Sequence, residues 1–132
     1  NTRTADLARA SAPSEGTQLL KTKLLFLCSR NQWRSPTAEA LFSGHPRYEA
    51  RSAGTETAAR VKVTAGQLGG VDVIFCMERK HADRIRHRFP DALGDKPIII
   101  LRLPDDYGFM DDALVALLRT ALSEHLPEFV TQ

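Results

Sequence analysis

Leu24, Leu25, Phe26 and Leu27 form an unbroken apolar run that ends at Cys28. A strand with one wetted face alternates apolar and polar residues, so an uninterrupted run predicts a strand covered on both faces, the situation of a parallel sheet packed between helices. Val71 to Phe75, entered through Gly69 and Gly70, and Ile98 to Leu101 repeat the signal, while Tyr48 to Ala53 alternates weakly, as an edge strand does. Between these runs the period changes to that of helices. Ser35 and Pro36 read as an N-cap and a first helical proline, followed by Ala38, Leu41 and Phe42 on one face and a stop at Gly44. Arg79 to Phe89 reads as a basic helix stopped by Pro90, and Leu114, Leu117, Leu118, Ala121, Leu122 and His125 recur at helical spacing in a closing amphipathic helix.

This alternation predicts an α/β fold: a small three-layer domain with a four-stranded parallel sheet. A chain of 132 residues suits one domain, placed over 20–132 and preceded by a polar N-terminal tail or arm over 1–19 that is rich in Ala, Thr, Ser and Gly. Hydrophobic content of 42% and charged content of 26% fit a folded globular chain. No apolar run approaches the ~18 to 20 residues of a membrane span, and the start lacks the basic-then-apolar layout of a secretory signal, so a cytoplasmic address is expected. The net charge of +2 is too small to argue for nucleic acid or a membrane surface, and neither is expected as a partner. Two cysteines make no disulfide framework, which turns attention to reactive thiols. His45, His81, His87 and His125 show no metal-ligand spacing, and neither a metal nor another cofactor is expected.

The chemistry starts where the first strand ends. Cys28, Ser29, Arg30, Asn31, Gln32, Trp33, Arg34 and Ser35 put five residues between a cysteine and an arginine, directly before a helix. Backbone N–H groups of a tight loop can converge on a phosphate there, the helix N-terminus adds partial positive charge, and Arg34 can grip two oxygens with its planar fork. The same field favours a thiolate over a thiol, and the thiolate is the nucleophile. Ser35 can donate its hydroxyl to the sulfur. Cys76, inside a predicted core strand, reads as a buried small hydrophobe.

The segment LLFLCSRNQWRSPTAEALF resembles the signature of the low-molecular-weight protein tyrosine phosphatases, with cysteine, asparagine, arginine, serine, proline and Ala-Glu-Ala in register. Looser similarity continues through Arg51 to Thr55, Val71 to Met77 and Leu103 to Tyr107. The resemblance implies that Cys28 is the nucleophile, that Arg34 and the loop amides from Ser29 to Ser35 bind phosphate, that Ser35 steadies the thiolate, and that Asp105 is the general acid. It also implies that Asn31 takes a left-handed conformation, which asparagine tolerates, with Ser52 in support. Trp33 stands where members of the family often carry a second cysteine, so a disulfide within the loop cannot form. Asp106 stands where proline usually follows the acid, and on residue chemistry alone either aspartate can serve. Position in the sheet supports Asp105 independently, since ligands in open parallel sheets sit beyond the carboxyl ends of the strands and Asp105 follows the last strand closely.

The function so implied is a metal-independent phosphomonoesterase of the protein tyrosine phosphatase type, working through phosphocysteine on a phosphorylated protein or a small phosphomonoester. A binding module for phosphate or phosphoproteins with weak turnover is the alternative from another class. Thiol-dependent arsenate reduction ranks last, because Cys76 is the one thiol available to resolve an intermediate.

Overall fold

The computed structural model describes residues 20–129, so the tail expected over 1–19 lies outside the described residues. Strand β1 (Thr22–Cys28) is followed by helix α1 (Arg34–Ala40), β2 (Tyr48–Gly54), α2 (Ala65–Gly69), β3 (Val73–Cys76), α3 (Arg79–Arg88), α4 (Pro90–Leu93), β4 (Ile98–Ile100) and α5 (Asp112–His125). The strands form one four-stranded parallel sheet in the order β2-β1-β3-β4, as the alternation of runs requires.

Both faces of β1 are covered. Leu24, Phe26 and Cys28 point to a layer built from α1 and α5, where they meet Ala38, Phe42, Leu114, Leu118 and Leu122. Leu25 and Leu27 point the other way, against Leu68 of α2, Ala82 and Ile85 of α3 and Leu93 of α4. Burying one such side chain contributes about 1.5–3 kcal/mol, so the four-residue run anchors both halves of the core. The three isoleucines of β4 are only half-buried, as befits the strand at the sheet's far edge. Among the described residues no helix is long and apolar enough to cross a membrane.

Several local expectations shift. Trp33, not Ser35, occupies the N-cap of α1, because the Ser35 hydroxyl is committed to the cysteine and Asn31 rather than to the helix end. The helix ends at Ala40, and Gly44 closes the turn beyond it with φ +72°. Pro90 ends α3 but also opens the four-residue α4, its fixed φ serving as a helix start. Helix α2, which the sequence reading did not anticipate, opens on a capping box between Thr64 and Gln67. In α5, Leu117 is 39% exposed, so the buried stripe reduces to Leu114, Leu118 and Leu122.

All four strands deliver their carboxyl ends to one edge, and pairing continues past them. Thr55 N–H donates to the Cys28 carbonyl at 3.0 Å, Met77 N–H to Leu27 at 3.0 Å, Leu101 N–H to Cys76 at 2.8 Å and Leu103 N–H to Met77 at 2.9 Å. The loops that follow therefore leave from a rigid rim. At the end of β2, Gly54 permits the closest approach: a Cβ there would lie 2.5 Å from Ala59 Cβ and 2.7 Å from the Ser29 carbonyl oxygen. Gly54→Ala is expected to cost about 1–3 kcal/mol, as overpacking does. Gly69→Ala, where a Cβ meets nothing within 4 Å, is expected to leave stability unchanged or slightly raised. Urea midpoints decide, and an unchanged midpoint for Gly54→Ala would mean that the loop after β1 is not held against β2.

Candidate active site

Residues Cys28 to Ser35 wrap from the end of β1 into the first turn of α1, and the loop is fixed from within by a directional chain of hydrogen bonds. Asn31 sits in the left-handed region at φ 58°, the conformation that asparagine tolerates. Its Nδ2 donates to the Ser35 and Ser52 hydroxyls, both at 2.9 Å. Ser52 in turn donates to the Glu39 carboxylate at 2.5 Å. With one lone pair of Ser35 Oγ taken by Asn31, its proton is free for Cys28 Sγ at 3.0 Å, nearer than the alternative acceptor, Ala53 carbonyl, at 3.4 Å. The backbone N–H of Asn31 also points at the sulfur, at 3.3 Å. Two donors thus converge on Cys28, an arrangement that suits a thiolate.

From outside, the loop is gripped by the segment after β2. Glu56 N–H donates to the Ser29 carbonyl and Arg60 N–H to the Arg30 carbonyl, each at 2.9 Å, while Arg60 Nε donates to the Asn31 carbonyl at 3.0 Å. Arg30 itself turns outward to an exposed pairing with Glu56 at 3.4 Å.

Arg34 is 1% exposed, so its charge must be met inside. One terminal nitrogen donates to Glu78 Oε2 at 2.5 Å and to the Leu103 carbonyl at 2.8 Å. Burial works to raise the Glu78 pKa, but the hydrogen bond and charge of Arg34 outweigh it and hold the carboxyl below its ordinary value. Arg34 Nε lies 3.5 Å from Asp105 Oδ1, within ion-pair range, yet the geometry gives it no hydrogen bond. This buried donor, without a hydrogen bond, thus lies beside Asp105, and both residues line one cavity.

That cavity, about 280 Å³, is lined by Cys28, Ser29, Arg30, Gln32, Trp33, Arg34, Glu56, Lys80 and Asp105. Trp33 both caps α1 by position and walls the cavity with a side chain 45% exposed. Asp105 reaches the cavity and Asp106 does not line it. A larger groove, about 710 Å³, lies along α1 and β2 and shares Gln32 with the first, but holds neither the cysteine nor Arg34.

Glu78, Arg60 and the Leu103 carbonyl were not singled out by the sequence, which offered His81 only as a histidine without metal-ligand spacing, Lys80 only as part of a basic helix and Glu39 only as part of the signature. His81 is 1% exposed: Nδ1 accepts the Glu78 N–H at 3.0 Å and Nε2 lies 3.0 Å from Ser29 Oγ. The spacing of Glu78 and His81, three apart at the start of a basic helix, was the available signal. Cys76, in register with Leu27, faces the opposite side of the sheet from Cys28, and burial pushes its thiol up to about 12. It cannot bridge to Cys28 without breaking the sheet. Among the described residues no group of three or more His, Cys, Asp or Glu side chains could hold a metal ion.

Burial, seconded by the charge of Arg34, pushes the His81 pKa from the ordinary 6.5 down to about 4. Between these values the unfolded chain binds the proton and the folded chain does not, so stability falls as pH drops from about 6.5 to about 4. Thermal midpoints followed over this range should decline, and His81→Gln should remove part of the decline. An identical slope in the variant would show that His81 does not titrate this way.

No protein-family model matches the sequence, and no curated protein is similar to it at a significant level. Solved structures are. The tyrosine phosphatase Wzb from Escherichia coli K30, in complex with phosphate, superposes with a TM-score of 0.63 at 24% identity, over 79% of this chain and 95% of that one. The low-molecular-weight protein tyrosine phosphatase from T. tengcongensis gives 0.58 at 21% identity, over 80% and 100%. The YwlE arginine phosphatase from Geobacillus stearothermophilus gives 0.58 at 22% identity, over 81% and 95%. The chain has the fold of the low-molecular-weight protein tyrosine phosphatases.

Proposed function

We propose that this protein is a cysteine-dependent phosphomonoesterase of the protein tyrosine phosphatase type. The observation that carries the reading is the convergence, on one small cavity, of Cys28 held by two donors, Arg34 with an unspent buried Nε, and the Asp105 carboxyl. Phosphate oxygens would take Arg34 Nε and the amides from Ser29 to Ser35, drawing Arg34 away from Asp105. Cys28 thiolate attacks phosphorus, the ester P–O bond breaks, and Asp105 gives its proton to the leaving oxygen. Water then attacks the phosphocysteine, Asp105 takes a proton from it, and the S–P bond breaks to release inorganic phosphate and the thiolate. The positive charge that this needs comes from Arg34 and the loop, so the scheme requires no metal.

Trp33 offers an aromatic wall for an aryl phosphate, which supports phosphotyrosine or a small aryl ester as substrate. Solved structures of this fold include one described as a tyrosine phosphatase and one as an arginine phosphatase, so the fold leaves the phosphorylated residue open. The reading as a phosphate- or phosphoprotein-binding module with weak or no turnover keeps the anion site without efficient catalysis. Arsenate reduction would need a second thiol at the site, and Cys76 lies on the other face of the sheet.

Aryl phosphate hydrolysis with a Cys28→Ala control separates catalysis from binding alone. If Asp105 is the acid, Asp105→Asn should lower kcat/KM, which reports the step that expels the leaving group, by roughly 10²- to 10⁴-fold for poor leaving groups and far less for activated aryl phosphates. Asp106→Asn should match the parent protein on both. The assignment fails should Asp106→Asn alone show the leaving-group dependence, and binding without Cys28-dependent turnover would favour the module.

A further inference from the structure

His81 is a buried histidine that the scheme above does not use, and its hydrogen bonds are ordered. Because Nδ1 accepts the Glu78 N–H, the neutral ring carries its proton on Nε2, and that proton goes to Ser29 Oγ. Ser29 is thereby an acceptor from His81, and its own hydroxyl proton is left for another partner. No protein acceptor for it is present among the described hydrogen bonds, and Ser29 lines the cavity with Cys28 and Arg34.

We propose that His81 is a positioning residue that turns the Ser29 hydroxyl into a further donor to the phosphoryl group. The proposal deepens the phosphate-site reading and rests on it. A rotatable hydroxyl can point its proton to the loop's own carbonyls or to the cavity. An Nε2–H donor fixed behind it occupies one lone pair and so restricts the rotor to the side away from α3. The ring is held in this state on all sides. Its burial and the charges of Arg34 and Lys80 oppose protonation, against the weaker opposite pull of Glu78 and Glu56. The Ser29 donor would add to Arg34 and the loop amides a hydrogen bond to a charged oxygen, the stronger kind.

The test is isothermal titration with inorganic phosphate, together with the thermal midpoint of each variant. Ser29→Ala, a small change at a loop position, should weaken phosphate binding about tenfold, the scale of one hydrogen bond to a charged group. His81→Phe, which keeps bulk and loses the donor, should weaken it by a similar factor. In the Ser29→Ala background, His81→Phe should cause no further loss, because its effect runs through that hydroxyl. His81→Gln, which restores an N–H near the Nε2 position, should recover most of the affinity. A merely structural histidine would lower the midpoint and reduce affinity equally with or without the Ser29 hydroxyl, and that additivity would overturn the proposal. Should His81→Phe not fold, Ser29→Ala and His81→Gln decide it: parental affinity in Ser29→Ala ends the idea. A parent protein that binds phosphate while Ser29→Ala binds it equally well removes this inference alone, whereas a parent protein that binds no phosphate removes the phosphate-site reading as well.

Discussion

A guanidinium buried as fully as that of Arg34 cannot be left without counter-charge, and the arginine and its two partners stand at three separate strand ends. Glu78 arrives after β3, Leu103 offers its carbonyl after β4, and the arginine itself stands in the first turn of the helix after β1. Breaking such a pair typically costs about 3–5 kcal/mol by leaving a buried charge unpaired, and less where one partner is partly solvated, as Glu78 is. The need to neutralise Arg34 therefore ties the rim of the sheet together. What the pairing leaves without a hydrogen bond, Nε beside Asp105, is what an anion can use.

The same economy governs the cysteine. The chain of donors from Asn31 through Ser35 to Cys28, with Ser52 handing its proton to Glu39, orients each hydroxyl by occupying its competing lone pair. Each step depends on the left-handed turn at Asn31, and that turn depends on Arg60 and the segment after β2 holding the loop's carbonyls. Gly54 completes the arrangement by leaving room for Ser29 to pass within contact distance of β2. The loop's donors are thus oriented by the protein's own hydrogen bonds, which is the physical condition for stabilising charge without reorganisation.

Much of this was legible in residues that are neighbours in the chain. The unbroken run from Leu24 to Leu27 announces a strand buried on both faces, and the octet from Cys28 to Ser35 announces the tight loop between that strand and the first helix because its geometry is set locally. Ser52 came through resemblance, and the structure places it against Asn31. Glu78, His81 and the Leu103 carbonyl were hidden because their roles are created by sheet order: β3 and β4 bring them to Arg34 and Ser29 across separations of 44, 52 and 69 residues. Locally they look like helix-start and loop residues. Ser35 was misread as a helix cap for the converse reason, since a hydroxyl next to Pro36 is a good cap until a tertiary partner claims it. Asp105 and Asp106 are the same residue type, so only the fold could show that Asp105 is the one that lines the cavity and lies 3.5 Å from Arg34.

The central claim is that Cys28 attacks phosphorus inside this preorganised loop, and trapping the covalent intermediate tests it most directly. Asp105→Asn protein mixed with an activated aryl phosphate should still undergo the first step, which needs little protonation, while hydrolysis stalls for want of a base to activate water. After rapid quenching and digestion, mass spectrometry should find phosphate on the peptide that carries Cys28. Aryl phosphate turnover that persists in Cys28→Ala, or a phosphoryl group found on another residue, would contradict the account.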